Sequence, residues 1–120
     1  LTLMPKEDGG TIAHMLADSD AIESGQPLVT FGDAVLGPLT IHCDGTIAGQ
    51  VWGAGAALGR YLLNLGLPGR PEVVEIGAGT GVAGLAAAAA GASKVVLTDR
   101  ADAVARLQAS IANNSGAVAS

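Results

Sequence analysis

The chain has 120 residues, 49% of them hydrophobic, which is the length of one ordinary domain with enough apolar material for a core. Six basic against eleven acidic residues give a formal net charge of −5, which argues against a nucleic-acid partner. The most membrane-like stretch, 76–92, is interrupted by glycines and falls short of the about 20 apolar residues a spanning helix needs, so no membrane partner is expected. Cys43 is the only cysteine; an internal disulfide is impossible and a reducing compartment is implied. The opening residues place Lys6, Glu7 and Asp8 where a secretory signal would be apolar. Together these features point to the cytoplasm, with the nucleus as the alternative.

Residues 1–27 are polar, with an acidic group at Asp18, Asp20 and Glu23, and read as an arm carrying one short helix near 11–17. Two short strands follow at 28–31 and 39–43. In the second, Leu39, Ile41 and Cys43 alternate with Thr40 and His42, the period of a half-buried strand. Gly37-Pro38 and Asp44-Gly45 supply turns, so a hairpin or small sheet is predicted. Leu58, Tyr61, Leu62 and Leu65 then fall on one helical stripe, stopped by Gly66.

From here the pattern becomes strand, glycine turn, helix, strand, helix. The β-branched run 72–76 leads through glycines into an alanine-rich helix at 82–90, closed by Gly91. Residues 94–98 form a second strand. A helix over 101–113 carries Val104, Leu107 and Ile111 on one face. Strands alternating with helices indicate a parallel sheet. The predicted fold class is therefore α/β: the N-terminal half of a doubly wound parallel sheet, preceded by a small β-hairpin and a helix.

Glu75-Ile76-Gly77-Ala78-Gly79-Thr80-Gly81 joins the first of these strands to its helix, where a nucleotide-binding turn is found. Glycines let the backbone turn sharply and approach a ligand where any Cβ would intrude. Asp99 ends the next strand, 20 residues beyond Gly79, where a carboxylate can accept ribose hydroxyls. Two ligands suit such a site. A dinucleotide presents a pyrophosphate, which wants a helix N-terminus free of anions. S-adenosylmethionine instead presents a sulfonium cation and an amino-acid end. Glu75 favours the cationic ligand, and the dinucleotide spacing fits only from Gly79 through Gly81 to Gly84, late for the strand end. A purely structural role for the glycines, in helix–strand packing, is the third reading.

The residues resemble those of the seven-stranded class I methyltransferases, and more narrowly the protein-lysine methyltransferase-like group called methyltransferase family 16. Three blocks carry the resemblance: Gly49-Gln50-Val51-Trp52 with Leu58-Gly59-Arg60-Tyr61-Leu62; Val73 through Leu85; and Val95-Val96-Leu97-Thr98-Asp99 with the helix ending at Asn113-Asn114. It implies S-adenosyl-L-methionine as cofactor and a protein lysine as methyl acceptor. It further implies that Trp52 lines the cofactor pocket, that Gly77, Ala78 and Gly79 cradle the methionine end, that Glu75 acts through the loop, and that Asp99 holds the ribose. Trp52 as an ordinary core aromatic is the alternative reading of that residue. Cys43 reads as a small buried hydrophobe, and His14 and His42 match nothing in the family pattern.

The resemblance also implies further strands, so that residues 28–120 are a partial methyltransferase domain ending before its third core strand, with 115–120 a polar tail. No catalytic residue can be named and no metal site is expected. On this reading the chain alone is inactive. Two rival functions remain: an NAD-binding oxidoreductase fragment, and a non-catalytic relative kept as an interaction module.

Overall fold

The structure, a computed structural model, describes residues 27–118. The expected helix near 11–17 and His14 lie outside the described residues.

Backbone pairing starts at once. Strand β1 (Pro27–Val29) pairs antiparallel with the two-residue β4 (Val51–Trp52). Strands β2 (Phe31–Leu36) and β3 (Leu39–Asp44) form the expected hairpin around Gly37-Pro38. The strand expected at 28–31 is corrected here: the chain bends at Thr30, and the hairpin's first strand runs from Phe31 to Leu36. Gly32 and Asp33 are poor strand formers, so propensity hid this strand; pairing with Cys43 and His42 overrides it. In β3 the alternation holds as read. Leu39, Ile41 and Cys43 are fully buried, while Thr40 and His42 face outward.

Helix α1 (Gly53–Leu65) begins five residues before Leu58 and ends on Gly66, whose N–H donates to the Leu62 carbonyl at 2.9 Å. Tyr61 and Leu62 are buried, whereas Leu65 at the stripe's end is exposed. Strand β5 (Glu72–Ile76), helix α2 (Val82–Ala89) and strand β6 (Lys94–Thr98) follow. A 3-10 turn (Ala101–Ala103) leads into α3 (Val104–Asn113), and a single helical turn, α4 (Ser115–Val118), takes the place of the polar tail expected from 115.

Strands β5 and β6 pair in parallel, Val73 opposite Val95 and Ile76 opposite Thr98, as the strand–helix–strand reading requires. Val73, Glu75, Val95 and Leu97 point toward α2, and Leu97, Leu85 and Leu107 of α3 converge on Gly81. The opposite face, with Val74, Val96 and Ile76 (89% exposed), is uncovered among the described residues. The architecture is therefore mixed α/β with an antiparallel hairpin and one parallel pair, consistent with part of a Rossmann-like domain.

The core lies where the inner face of β3 meets α1 and α2. Leu39, Ile41 and Cys43 pack there with Tyr61, Leu62, Leu85 and Ala86. Each large aliphatic side chain buried in this way contributes about 1.5–3 kcal/mol. Asn114 ties the far end of the chain to this core. Its Oδ1 accepts from the Thr40 N–H at 2.8 Å, and its Nδ2 donates to the Thr40 carbonyl at 2.9 Å and the Ser110 carbonyl at 2.7 Å. No described helix is long and apolar enough to cross a membrane.

Candidate functional site

The loop between β5 and α2 rises from the C-terminal end of the parallel pair, where α/β sheets bind ligands. Gly77, Gly79 and Gly81 all have positive φ (68°, 58° and 82°), a backbone state that side chains resist. Their roles differ. A Cβ on Gly77 would meet nothing within 4 Å, whereas one on Gly79 would stand 2.9 Å from the Ala48 carbonyl oxygen. Conformation alone demands glycine at the first position; close approach demands it also at the second.

The loop is held to the end of β6. Ala78 N–H donates to the Thr98 carbonyl (2.8 Å), Gly79 N–H to Asp99 Oδ2 (2.7 Å), and Thr98 Oγ1 to the Glu75 carbonyl (2.8 Å). Asp99 Oδ1 accepts from the Arg100 N–H at 2.7 Å. The Arg100 amide, then the Gly79 amide, hold the Asp99 carboxyl below its ordinary range. It is a fixed anion at the tip of β6, and each oxygen keeps a lone pair for a further donor.

Glu75 also has a structural task. Its Oε2 accepts from the Gly84 N–H at 2.8 Å, so it serves as the N-terminal anchor of α2. No side chain caps that helix from the cap position, Gly81. Burial pushes the Glu75 carboxyl up from its ordinary value, the Gly84 amide opposes this, and nearby Asp99 adds to it. The amide that could greet a phosphate is thus already bonded to a carboxylate, and an anionic ligand would meet like charge there.

Residues 44–50 form the facing wall; of these the sequence singles out only the Asp44-Gly45 turn and the Gly49-Gln50 pair, and not the contacts of Thr46, Ile47 and Ala48. Asp44 Oδ1 accepts from the Thr46 N–H and hydroxyl, and Gly49 N–H donates to the Thr46 hydroxyl and carbonyl. The hydroxyl and amide of Thr46, with Arg106, bring the Asp44 carboxyl down to about 2. Trp52 Nε1 donates to the Ile47 carbonyl at 3.1 Å. At 40% exposed, Trp52 is not a core aromatic.

Between wall and loop lies a cleft of about 410 Å³, within the range of small-molecule sites (about 300–1,000 Å³). Trp52, Glu75, Gly77, Ala78, Gly79 and Asp99 all line it, together with Ile47, Ala48 and Gln50. All six residues singled out in the sequence therefore meet in one place. His42 and Cys43 stand apart: His42 pairs with Asp33 on the outer face of the hairpin (3.2 Å), and Cys43 is buried.

A family model described as lysine methyltransferase matches residues 38–120. The chain belongs to the lysine methyltransferase family. The matched span covers β3, the wall, the glycine loop and Asp99, and membership implies S-adenosylmethionine-dependent methyl transfer as the family's general chemistry. No curated protein and no solved structure matches the chain significantly.

Proposed function

We propose that the cleft between residues 44–52 and the glycine loop binds S-adenosylmethionine, and that residues 28–120 are the donor-binding part of a domain that methylates a protein lysine. The observation carrying this reading is the Glu75–Gly84 hydrogen bond. It sets a carboxylate at the N-terminus of α2, suited to a cationic ligand and hostile to a pyrophosphate. The residues also fit the ligand's other parts. Gly77 leaves open space for the amino-acid end, Asp99 is an anion free to accept from ribose hydroxyls, and Trp52 offers an aromatic wall.

When bound, S-adenosylmethionine supplies an electrophilic methyl group: an acceptor amine attacks its carbon in line as the carbon–sulfur bond breaks and neutral thioether leaves. The residues of this chain orient the donor for that step, which depends chiefly on positioning. A lysine acceptor must first lose its proton, its ordinary pKa being near 10.4. Family membership favours lysine over other acceptors.

Calorimetric titration of the chain with S-adenosylmethionine and, separately, NAD tests the proposal. Saturable binding of the first alone is expected. Binding of NAD in preference would overturn it in favour of an oxidoreductase fragment, and binding of neither would favour an interaction module.

A further inference from the structure

Arg106 lies on α3, and its side chain is only 12% exposed. A buried guanidinium is expensive to desolvate unless its donors are used. One terminal nitrogen donates to Asp44 Oδ2 at 2.8 Å, and the other faces the Gly79 carbonyl at 3.4 Å. Its Nε has no partner among the described residues, so the side chain is held by the two contacts of its fork. Those contacts reach the wall and the loop, the two sides of the cleft.

We propose that Arg106 is a positioning residue that clamps the 44–50 wall onto the glycine loop and so sets the width of the donor-binding cleft. The proposal rests on the reading of that cleft as an S-adenosylmethionine site.

Three features around the fork make the clamp directional. Asp44 is pinned on its other oxygen by Thr46, so a pull on Asp44 moves the wall and not one side chain. The Ala48 carbonyl already abuts Gly79, so the wall has no slack at that point. At its other end the wall is held by the hydrogen bond from Trp52 to Ile47. Asp44 ends β3 and Val51 begins β4, so releasing Arg106 loosens the wall between two anchored strand ends. A lysine keeps the charge but lacks the planar fork that presents separate nitrogens to the two acceptors.

The test uses Trp52, the only tryptophan, as a probe within the wall. Arg106→Gln, Arg106→Lys, Asp44→Asn and the Asp44→Asn/Arg106→Gln double variant are compared with the parent. Emission of Trp52, calorimetric affinity for S-adenosylmethionine and far-ultraviolet circular dichroism are measured for each. The clamp predicts a red-shifted Trp52 and an affinity about tenfold or more weaker in Arg106→Gln, with unchanged dichroism. Asp44→Asn should behave alike, the double variant should lose no more than the larger single loss, and Arg106→Lys should fall between. If Arg106→Gln does not fold, Arg106→Lys and Asp44→Asn still decide the matter. Additive losses in the double variant, or a Trp52 emission that Asp44→Asn and Arg106→Lys leave unmoved, would overturn the clamp. A parent chain that binds no S-adenosylmethionine overturns the cofactor reading instead, and the Trp52 comparison separates that outcome from failure of the clamp.

Discussion

The Gly84 N–H donates to Glu75 Oε2 at 2.8 Å, so a carboxylate from β5 satisfies an amide in the first turn of α2. One side chain thereby joins strand to helix and fixes the charge at the cleft floor. Because burial and Asp99 raise the Glu75 pKa above 4.5, the fold penalises its charged form. The sign follows: this contribution to stability is fully present below the unfolded value and is lost as pH rises through the raised folded value. Glu75→Gln keeps an acceptor for Gly84 without the charge. Its stability should lack that decline with rising pH, while its affinity for S-adenosylmethionine falls. Urea denaturation across pH 4–8, alongside calorimetry at neutral pH, reads both; parallel pH profiles in parent and variant would refute the role given to the charge.

The two loop glycines should respond differently to substitution. Gly77→Ala places a methyl group in open space at φ 68°, so its effect on folding is the conformational penalty alone, about 1–2 kcal/mol. Gly79→Val also drives a branched side chain into the Ala48 carbonyl and should unfold the loop. Thermal melts compare the two, and equal losses would contradict the close approach of the wall. A drop in S-adenosylmethionine affinity in Gly77→Ala would locate the ligand over that open space.

Asn114 closes a long loop of chain by side-chain hydrogen bonding, 74 positions from Thr40. Asn114→Ala leaves the Thr40 N–H and carbonyl without their partner and should lower stability by about 1–3 kcal/mol. Asn114→Asp, which keeps the acceptor for Thr40 but loses both donated bonds, should also destabilise. Denaturant midpoints at constant m-value provide the check.

These relationships show what a single sequence discloses. β5, α2 and β6 were legible almost to the residue, because β-branched runs, glycines and an alanine helix are local signals. Glu75, Gly77, Gly79 and Asp99 are legible for the same reason, in or beside the turns that end strands, whereas Trp52 and Ala78 enter the site only through the family resemblance. The hairpin's first strand was not, since Gly32 and Asp33 take strand form only through their partners on β3. Arg106 and Asp44 are 62 positions apart, and nothing local to either announces the other. Glu75 was singled out for its charge, yet its hydrogen bond to Gly84 depends on how closely α2 lies against the sheet. Val104 and Ile111 were read as a helix face with Leu107, but only Leu107 is buried against the described residues.

On the proposed function, Asp99 at the tip of β6 holds the sugar of a nucleoside methyl donor. Calorimetric titration of S-adenosylmethionine into Asp99→Ala, with Asp102→Ala as control, tests it most directly. Asp102 is exposed and pairs with Arg100 at 3.4 Å outside the glycine loop, so its loss should leave affinity unchanged. Asp99→Ala should weaken binding by about 1–3 kcal/mol, the effect of leaving hydrogen-bonding groups unpaired. Equal affinities in Asp99→Ala and the parent would show that Asp99 does not hold the sugar.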